Sequence, residues 1–239
     1  MARVTDFFAQ GTIEHVVLYR RMGKNCSRIK RTHINQTPAT KKRGINFGIS
    51  ARAARGLRNG LQPVMPQPKD RSMQSRFSGA IAKWLALQEV STMPSCEDVP
   101  YIGSFAFANC ITFKERFKVP VIISHAADNV ITISIDAFVP AMAISVPVQT
   151  VTVALVISVA GCLLQSGDIT GGQTLNLRFP YNDTPVDAQE LAFPLPLPGG
   201  SLTVTAARLI YRGKENNMAT KINDATFTSA GILNARYFF

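Results

Sequence analysis

Hydrophobic positions along this chain first alternate, then recur every three to four residues, and then alternate again to the end. Residues 12–20 (TIEHVVLYR) and 26–33 (CSRIKRTH) are β-like, and MGKN between them supplies the Gly and Asn of a turn. The pattern predicts a short hairpin that exposes Arg20, Arg28 and Lys30 among Val and Ile, with one side packing and the other meeting a polyanion.

Thr37-Pro38 then fits a helix N-cap followed by Pro at the first helical position. At about 100° per residue, Phe47, Ser50, Ala54, Leu57 and Leu61 fall on one packing stripe, while Arg52, Arg55 and Arg58 take an arc of roughly 120° beside and opposite it. Gly44, Gly48 and Gly56 each cost about 1 kcal/mol relative to Ala in a helix, so they imply close packing against a neighbour or an interruption. A Pro-rich connector (QPVMPQPKD, 62–70) follows, with Asp70 as N-cap of a second helix to about Gln88. Met73, Phe77, Ala80, Ile81, Trp84 and Leu87 share one face of that helix. The two stripes predict a helical hairpin, and Trp84, the one Trp, belongs to a core or interface.

From about Tyr101 the period is two. Residues 119–125, 130–138, 150–161, 174–179, 201–211 and 232–239 read as strands, separated by turn signals at ADN, GDITGGQ, FPLPLPGG and RGKENN. The fold class expected is α+β, mainly β: a basic N-terminal β-hairpin and helical hairpin (1–90) followed by an antiparallel β-sandwich, immunoglobulin-like or related (100–239). A barrel or jelly roll is the alternative topology. No internal repeat of fixed period is visible.

Charge sharpens the picture. Residues 1–80 hold 16 Lys+Arg against 3 Asp+Glu, a net +13, which leaves 10 against 12, a net −2, for the remainder of the +11 chain. Between Glu14 and Asp70 there are 13 Lys+Arg and no acid. A merely solvated surface intersperses both signs, so this run points to an anionic partner. Composition agrees with a folded chain: 46% of the 239 residues are hydrophobic and 17% charged, below the ~25% of an average domain. The N-terminal residues contain no apolar run of a secretory signal, and the longest apolar stretch, Val151–Leu164, is too short and too interrupted to span a bilayer. A cytoplasmic protein, or a component of an assembly not exported by a Sec signal, with no membrane span, is expected.

Candidate chemistry adds little. No phosphate loop, dinucleotide fingerprint, HExxH or GxSxG occurs. Ser124, His125 and Asp128 could suggest a triad, but adjacent strand residues point to opposite faces, so Ser124 and His125 cannot easily share a proton. Cys26, Cys96, Cys110 and Cys162 show neither CxxC pairing nor metal-ligand spacing with the histidines, so reduced thiols are expected. Cys26, among Lys24, Arg28, Lys30 and Arg31, is the candidate reactive thiol. Asp183, Asp187 and Glu190 form an acidic loop whose spacing matches no established cation site. Glycosylation triplets at Asn25, Asn35 and Asn182 would matter only in a secreted protein. No cofactor or metal and no catalytic residue is expected.

The run RIKRTHINQTPATKKRGINFGISARAARGLRNGL, followed by DRSMQSRF, resembles the N-terminal portion of an uncharacterised family of small Bacteroidota proteins. The matching positions are Phe47, Gly48, Ser50, Ala54, Arg58 and Leu61, with Ile49 where the family usually has Ala. The resemblance covers the first third of the chain and implies a bacterial origin, a basic hairpin and helix, and a β-rich C-terminal half, without a known activity.

The function expected is a non-enzymatic structural or assembly protein whose basic arm docks on neighbouring subunits, a homo-oligomer included, or on a polyanion. The contact residues are Arg20, Arg21, Lys24, Arg28, Lys30, Arg31, Lys41, Lys42, Arg43, Arg52, Arg55 and Arg58. The alternatives are a sequence-nonspecific nucleic-acid-binding protein, for which salt dependence would be steep, and a ligand- or carbohydrate-binding sandwich, which needs a concave pocket.

Overall fold

The computed structural model describes residues 3–5, 8–30, 36–66, 72–88, 97–107, 112–126, 130–215, 218–222 and 227–239. The chain divides into two compact units, Met1–Arg43 and Gly44–Phe239. It is α+β with antiparallel sheets.

The first unit contains a four-stranded meander: β1 (Arg3–Thr5), β2 (Phe8–Ile13), β3 (Val16–Arg21) and β4 (Lys24–Ile29), in that order. The stretch 12–20 is thus not one strand. Glu14, at φ 49°, turns the chain between β2 and β3. Met22 and Gly23 both have positive φ (50° and 78°), which matches the twist of the flanking strands β3 and β4 in a two-residue hairpin turn.

α1 runs from Pro38 to Gly60. Thr37 caps it as expected, its Oγ1 accepting from Thr40 N at 3.2 Å. The helix continues without interruption through Gly44 and Gly48. A 3-10 turn, Gln62–Val64, and α2, Met73–Gln88, follow. The N-cap assigned to Asp70 lies outside the described residues.

The second unit is built on a sheet of six strands: β5 (Glu97–Asp98), β13 (Ala230–Phe238), β11 (Ser201–Glu215), β8 (Thr152–Leu163) and β9 (Ile169–Pro180) lie side by side, and β12 (Met218–Lys221) pairs with β11. A second sheet has the order β10 (Gln189–Pro194), β7 (Val130–Ile135), β6 (Val121–His125). β10 is an addition to the expected set. Its residues read as acidic loop and Pro-rich turn, yet Leu191 and Phe193 alternate inward, and it pairs from Gln189↔Ile135 to Pro194↔Val130. β9 begins at Ile169 because the turn after β8 is tighter than GDITGGQ suggests.

β8 reads TVALVISVAGCL, an almost unbroken apolar run, because both of its faces are buried. Val153, Leu155, Ile157 and Val159 enter one core with Ile131, Ile133 and Ile135 of β7 and Phe193 of β10. Val156, Ala160 and Cys162 enter another, with Ala53, Leu57 and Leu61 of α1 and Phe77, Ile81 and Trp84 of α2. β11 divides in the same way, Leu202, Val204 and Ala206 on the helix side and Ala207, Leu209 and Tyr211 on the other. The stripes of the two helices therefore close on the sheet, in one shared core. Residues 44–66 and 72–88, grouped by sequence with the basic N-terminal region, share the core of the strands that follow.

Two stripe residues are corrected. Phe47 is 63% exposed and Leu87 52% exposed. The core takes up α1 only from Ile49 onward and α2 only to Leu85, so both side chains lie beyond its ends. Trp84 is buried, its ring edge-on to Tyr237 at 5.3 Å. Among the described residues no helix is long and apolar enough to cross a membrane.

Phe77 is fully buried, with Phe105 at 5.1 Å and Phe107 at 6.3 Å between ring centroids. Phe77→Ala should cost about 3–5 kcal/mol in urea unfolding, whereas Leu87→Ala on the same helix should stay within about 0.5 kcal/mol of the parent. Equal losses from the two substitutions would contradict this packing.

Candidate functional site

In the first unit, strand register fixes which way the bases face. Arg21 stands opposite Lys24, and Val17 opposite Arg28, so Arg21, Lys24 and Arg28 share one face with Tyr19 and Cys26. Arg20 is on the other face, where its Nε donates to Gly23 O at 3.2 Å. The expectation of a packed side and a basic side is thus corrected: the arginines divide between the two faces. Lys30 follows β4 and is exposed, as are Lys41, Lys42 and Arg43 in the first turns of α1. Arg31 lies outside the described residues. Cys26 is half-buried, with Sγ 3.6 Å from Lys24 O.

In the second unit, the outward face of α1 carries Arg52, Arg55 and Arg58 at three-residue intervals. Arg52 and Arg55 are exposed and Arg58 half-buried. The helix is held close to the sheet at the β8–β9 turn. A Cβ at Gly56 would overlap the carbonyl oxygen of Gly167, and one at Gly167, where φ is +79°, would stand 2.5 Å from Arg52 O. Of the three glycines in the helix pattern, Gly56 is the one that close packing requires; nothing lies within 4 Å of the Cβ position at Gly44.

This seating leaves an open groove on either side of Arg55. One, of about 440 Å³, is lined by Arg55, Arg58, Asn59, Gln62, Met65, Met73 and Gln74. The other, of about 420 Å³, runs between α1 and the β8–β9 turn and is lined by Arg52, Arg55, Gly56, Asn59, Ser166, Gly167, Asp168 and Ile169. Arg52 Nε donates to Gln165 O at 3.1 Å, and Arg58 Nε to Ala54 O at 3.1 Å, which orients both guanidinium groups. Burial, and then the neighbouring Arg55, lowers the pKa of Arg58. Asp168 is the one acid in these grooves, and among the described residues none of the three arginines forms an ion pair. Partly oriented guanidinium forks beside amide side chains can bind an oxyanion through bidentate hydrogen bonds. Asn59, Gln62 and Gln74 escaped the sequence reading, although Asn59 follows Arg55 by one helical turn.

The other candidates separate. Ser124 Oγ approaches Thr132 O at 3.5 Å, while the half-buried His125 ring lies tilted by 57° against Phe238 at 5.8 Å, with Nε2 3.3 Å from Asn234 Oδ1. Their partner Asp128 lies outside the described residues. Glu190 is drawn into β10 opposite Ser134, away from any loop shared with Asp183. Among the described residues no three His, Cys, Asp or Glu side chains gather as a metal site. Compared with family models, curated proteins and solved structures, the chain matches none. The functional argument therefore rests on geometry.

Cys162 lies beneath α1, fully buried, with Sγ 3.7 Å from Ala53 O. Burial raises its pKa from about 9 to about 12. The folded protein favours the neutral thiol, so stability is unaffected below the unfolded pKa and falls as pH rises through this window. The stability gap between the parent and Cys162→Ala in urea unfolding should narrow there by about 1.4 kcal/mol per pH unit. A gap independent of pH would refute the assignment.

Proposed function

We propose that this protein is a non-enzymatic docking protein, in which an antiparallel β-sandwich scaffold of Gly44–Phe239 presents the arginine face of α1 to a polyanion. The observation that carries the reading is Arg55, exposed, without an ion-pair partner among the described residues, and shared by two open grooves. Three arginines offset by the single acid Asp168 leave an excess of positive charge that repels itself, and an anionic partner relieves that repulsion. The bases of the first unit, Arg21, Lys24 and Arg28 on one sheet face, form a basic surface of their own. The sandwich reading is supported by the core in which β7 and β10 meet β8 and β11. The resemblance to a Bacteroidota family belongs to the same proposal and supplies an origin without an activity.

The test is light scattering on the eluting protein at low and high salt, with the ratio of nucleic-acid to protein absorbance, followed by titration with polyphosphate and polyglutamate. Binding at low salt should be lost as ionic strength rises. Arg55→Gln should reduce the slope of log K against log salt by about one unit. The charge-matched Lys83→Gln, on an exposed position of α2, should leave it unchanged. Equal effects of both variants, or no binding to either polymer, would sink the reading. A large species stable at both salts and free of polyanion would instead mean docking on further copies of the chain.

A further inference from the structure

In sequence the positive charge is N-terminal, but the fold gathers a second group of cations from the other half. Period two along β11 puts Arg208, Ile210 and Arg212 on the face that Leu202 and Val204 turn toward the helices. Arg212 stands opposite Lys221 of β12, and Ile210, Ala154 and Arg178 form one row across β11, β8 and β9. Arg178, Arg208, Arg212 and Lys221 therefore share one face at one end of the sheet.

Arg208 is 7% exposed, and its Nη1 donates to Met65 O at 2.6 Å. Its Nε is buried without an acceptor, and so is the Nε of Arg212. Among the described residues none of Arg178, Arg208, Arg212 and Lys221 forms an ion pair. Taking a guanidinium out of water is costly unless acceptors replace the lost hydration. Lys221 has its pKa lowered by burial, then by Arg208 and Arg212, so the three cations repel one another as they stand.

This group is in line with the α1 grooves. Gly56 lies against Cys162, Gly60 against Ala160, and Met65 reaches Arg208, whose partner on β8 is Val156. α1 and the turn after it thus track β8 toward Thr152, the partner of Arg212. From Cys162 to Thr152 the strand covers roughly 33 Å.

We propose that Arg212 and Lys221, with Arg178 beside them and the buried Arg208 adding its charge from beneath, bind phosphates of a nucleic-acid backbone that continues from the α1 grooves along this face. The proposal rests on the polyanion reading of α1 and names its ligand. The chemistry favours phosphodiester over an acidic protein. Protein interfaces are anchored by exposed apolar and aromatic side chains at a charge-poor centre. Of the residues lining the grooves or forming the sheet cluster, Ile169 is the one large apolar side chain that stands exposed. Backbone phosphates need forks and point charges and no such anchor, and they are read without sequence preference.

The experiment is fluorescence anisotropy of a labelled oligothymidylate about 20 nucleotides long, more than the ~4 to 16 that one small domain covers, titrated from about 50 to 200 mM salt. Arg208 is left intact, because its removal would strip Met65 of its bond. The double variant Arg212→Gln/Lys221→Gln should lower the salt slope by about 1.4 to 1.8 units and leave thermal unfolding unchanged. If Arg52→Gln/Arg55→Gln lowers the slope and the sheet variant does not, the sheet site is overturned while the α1 reading stands. Binding of polyglutamate without oligothymidylate overturns the phosphate ligand alone. Binding of neither overturns both.

Discussion

The second unit is organised by the burial of both faces of β8 and β11. A strand with one wet face needs polar residues at alternate positions, whereas these two are covered by helices on one side and by a second sheet on the other. Each layer then has a fixed task. The three-stranded sheet and the helices exist because the central strands expose apolar side chains to both. The helices, once seated, have an outward face that the core does not use, and that face carries the arginines.

Close seating follows from the same constraint. α1 touches the β8–β9 turn through glycine on both sides, Gly56 and Gly167, so no side chain holds the helix away from the sheet. The grooves beside Arg55 are consequences of that approach: one is bounded by the turn, the other by the connection toward α2. The buried Arg208 extends the logic to electrostatics. Its guanidinium underlies Met65, and its desolvation lowers its pKa. The scaffold thus holds charge in place at a cost in self-energy that a bound anion would reduce.

Much of this was legible in the chain. Residues 150–161 announced a strand, though a period-two reading gave no sign that both of its faces are buried; Thr37-Pro38 announced the start of α1, and the arginine triplet announced its outward face. Other features depended on tertiary context. A helical wheel places Phe47 with Ser50 and Ala54, but it carries no information about where the underlying core ends. β10 was hidden because Gln189, Glu190 and Pro194 resemble loop composition, although Leu191 and Phe193 keep the strand period. The cluster at Arg208 was the least legible. Even numbering of Arg208 and Arg212 hints at a common face, but the opposition of Arg212 and Lys221 exists only once β12 folds back on β11.

β8 also sets the manner in which the molecule fails. Its 12 residues contain no charge and no proline, and they are rich in β-branched side chains. Such a segment is harmless while both faces and both edges are covered, and it becomes a template for intermolecular pairing as soon as they are not. Loss of the native state in this protein is therefore coupled to aggregation, so its lifetime under stress is governed by the rate at which the central sheet opens.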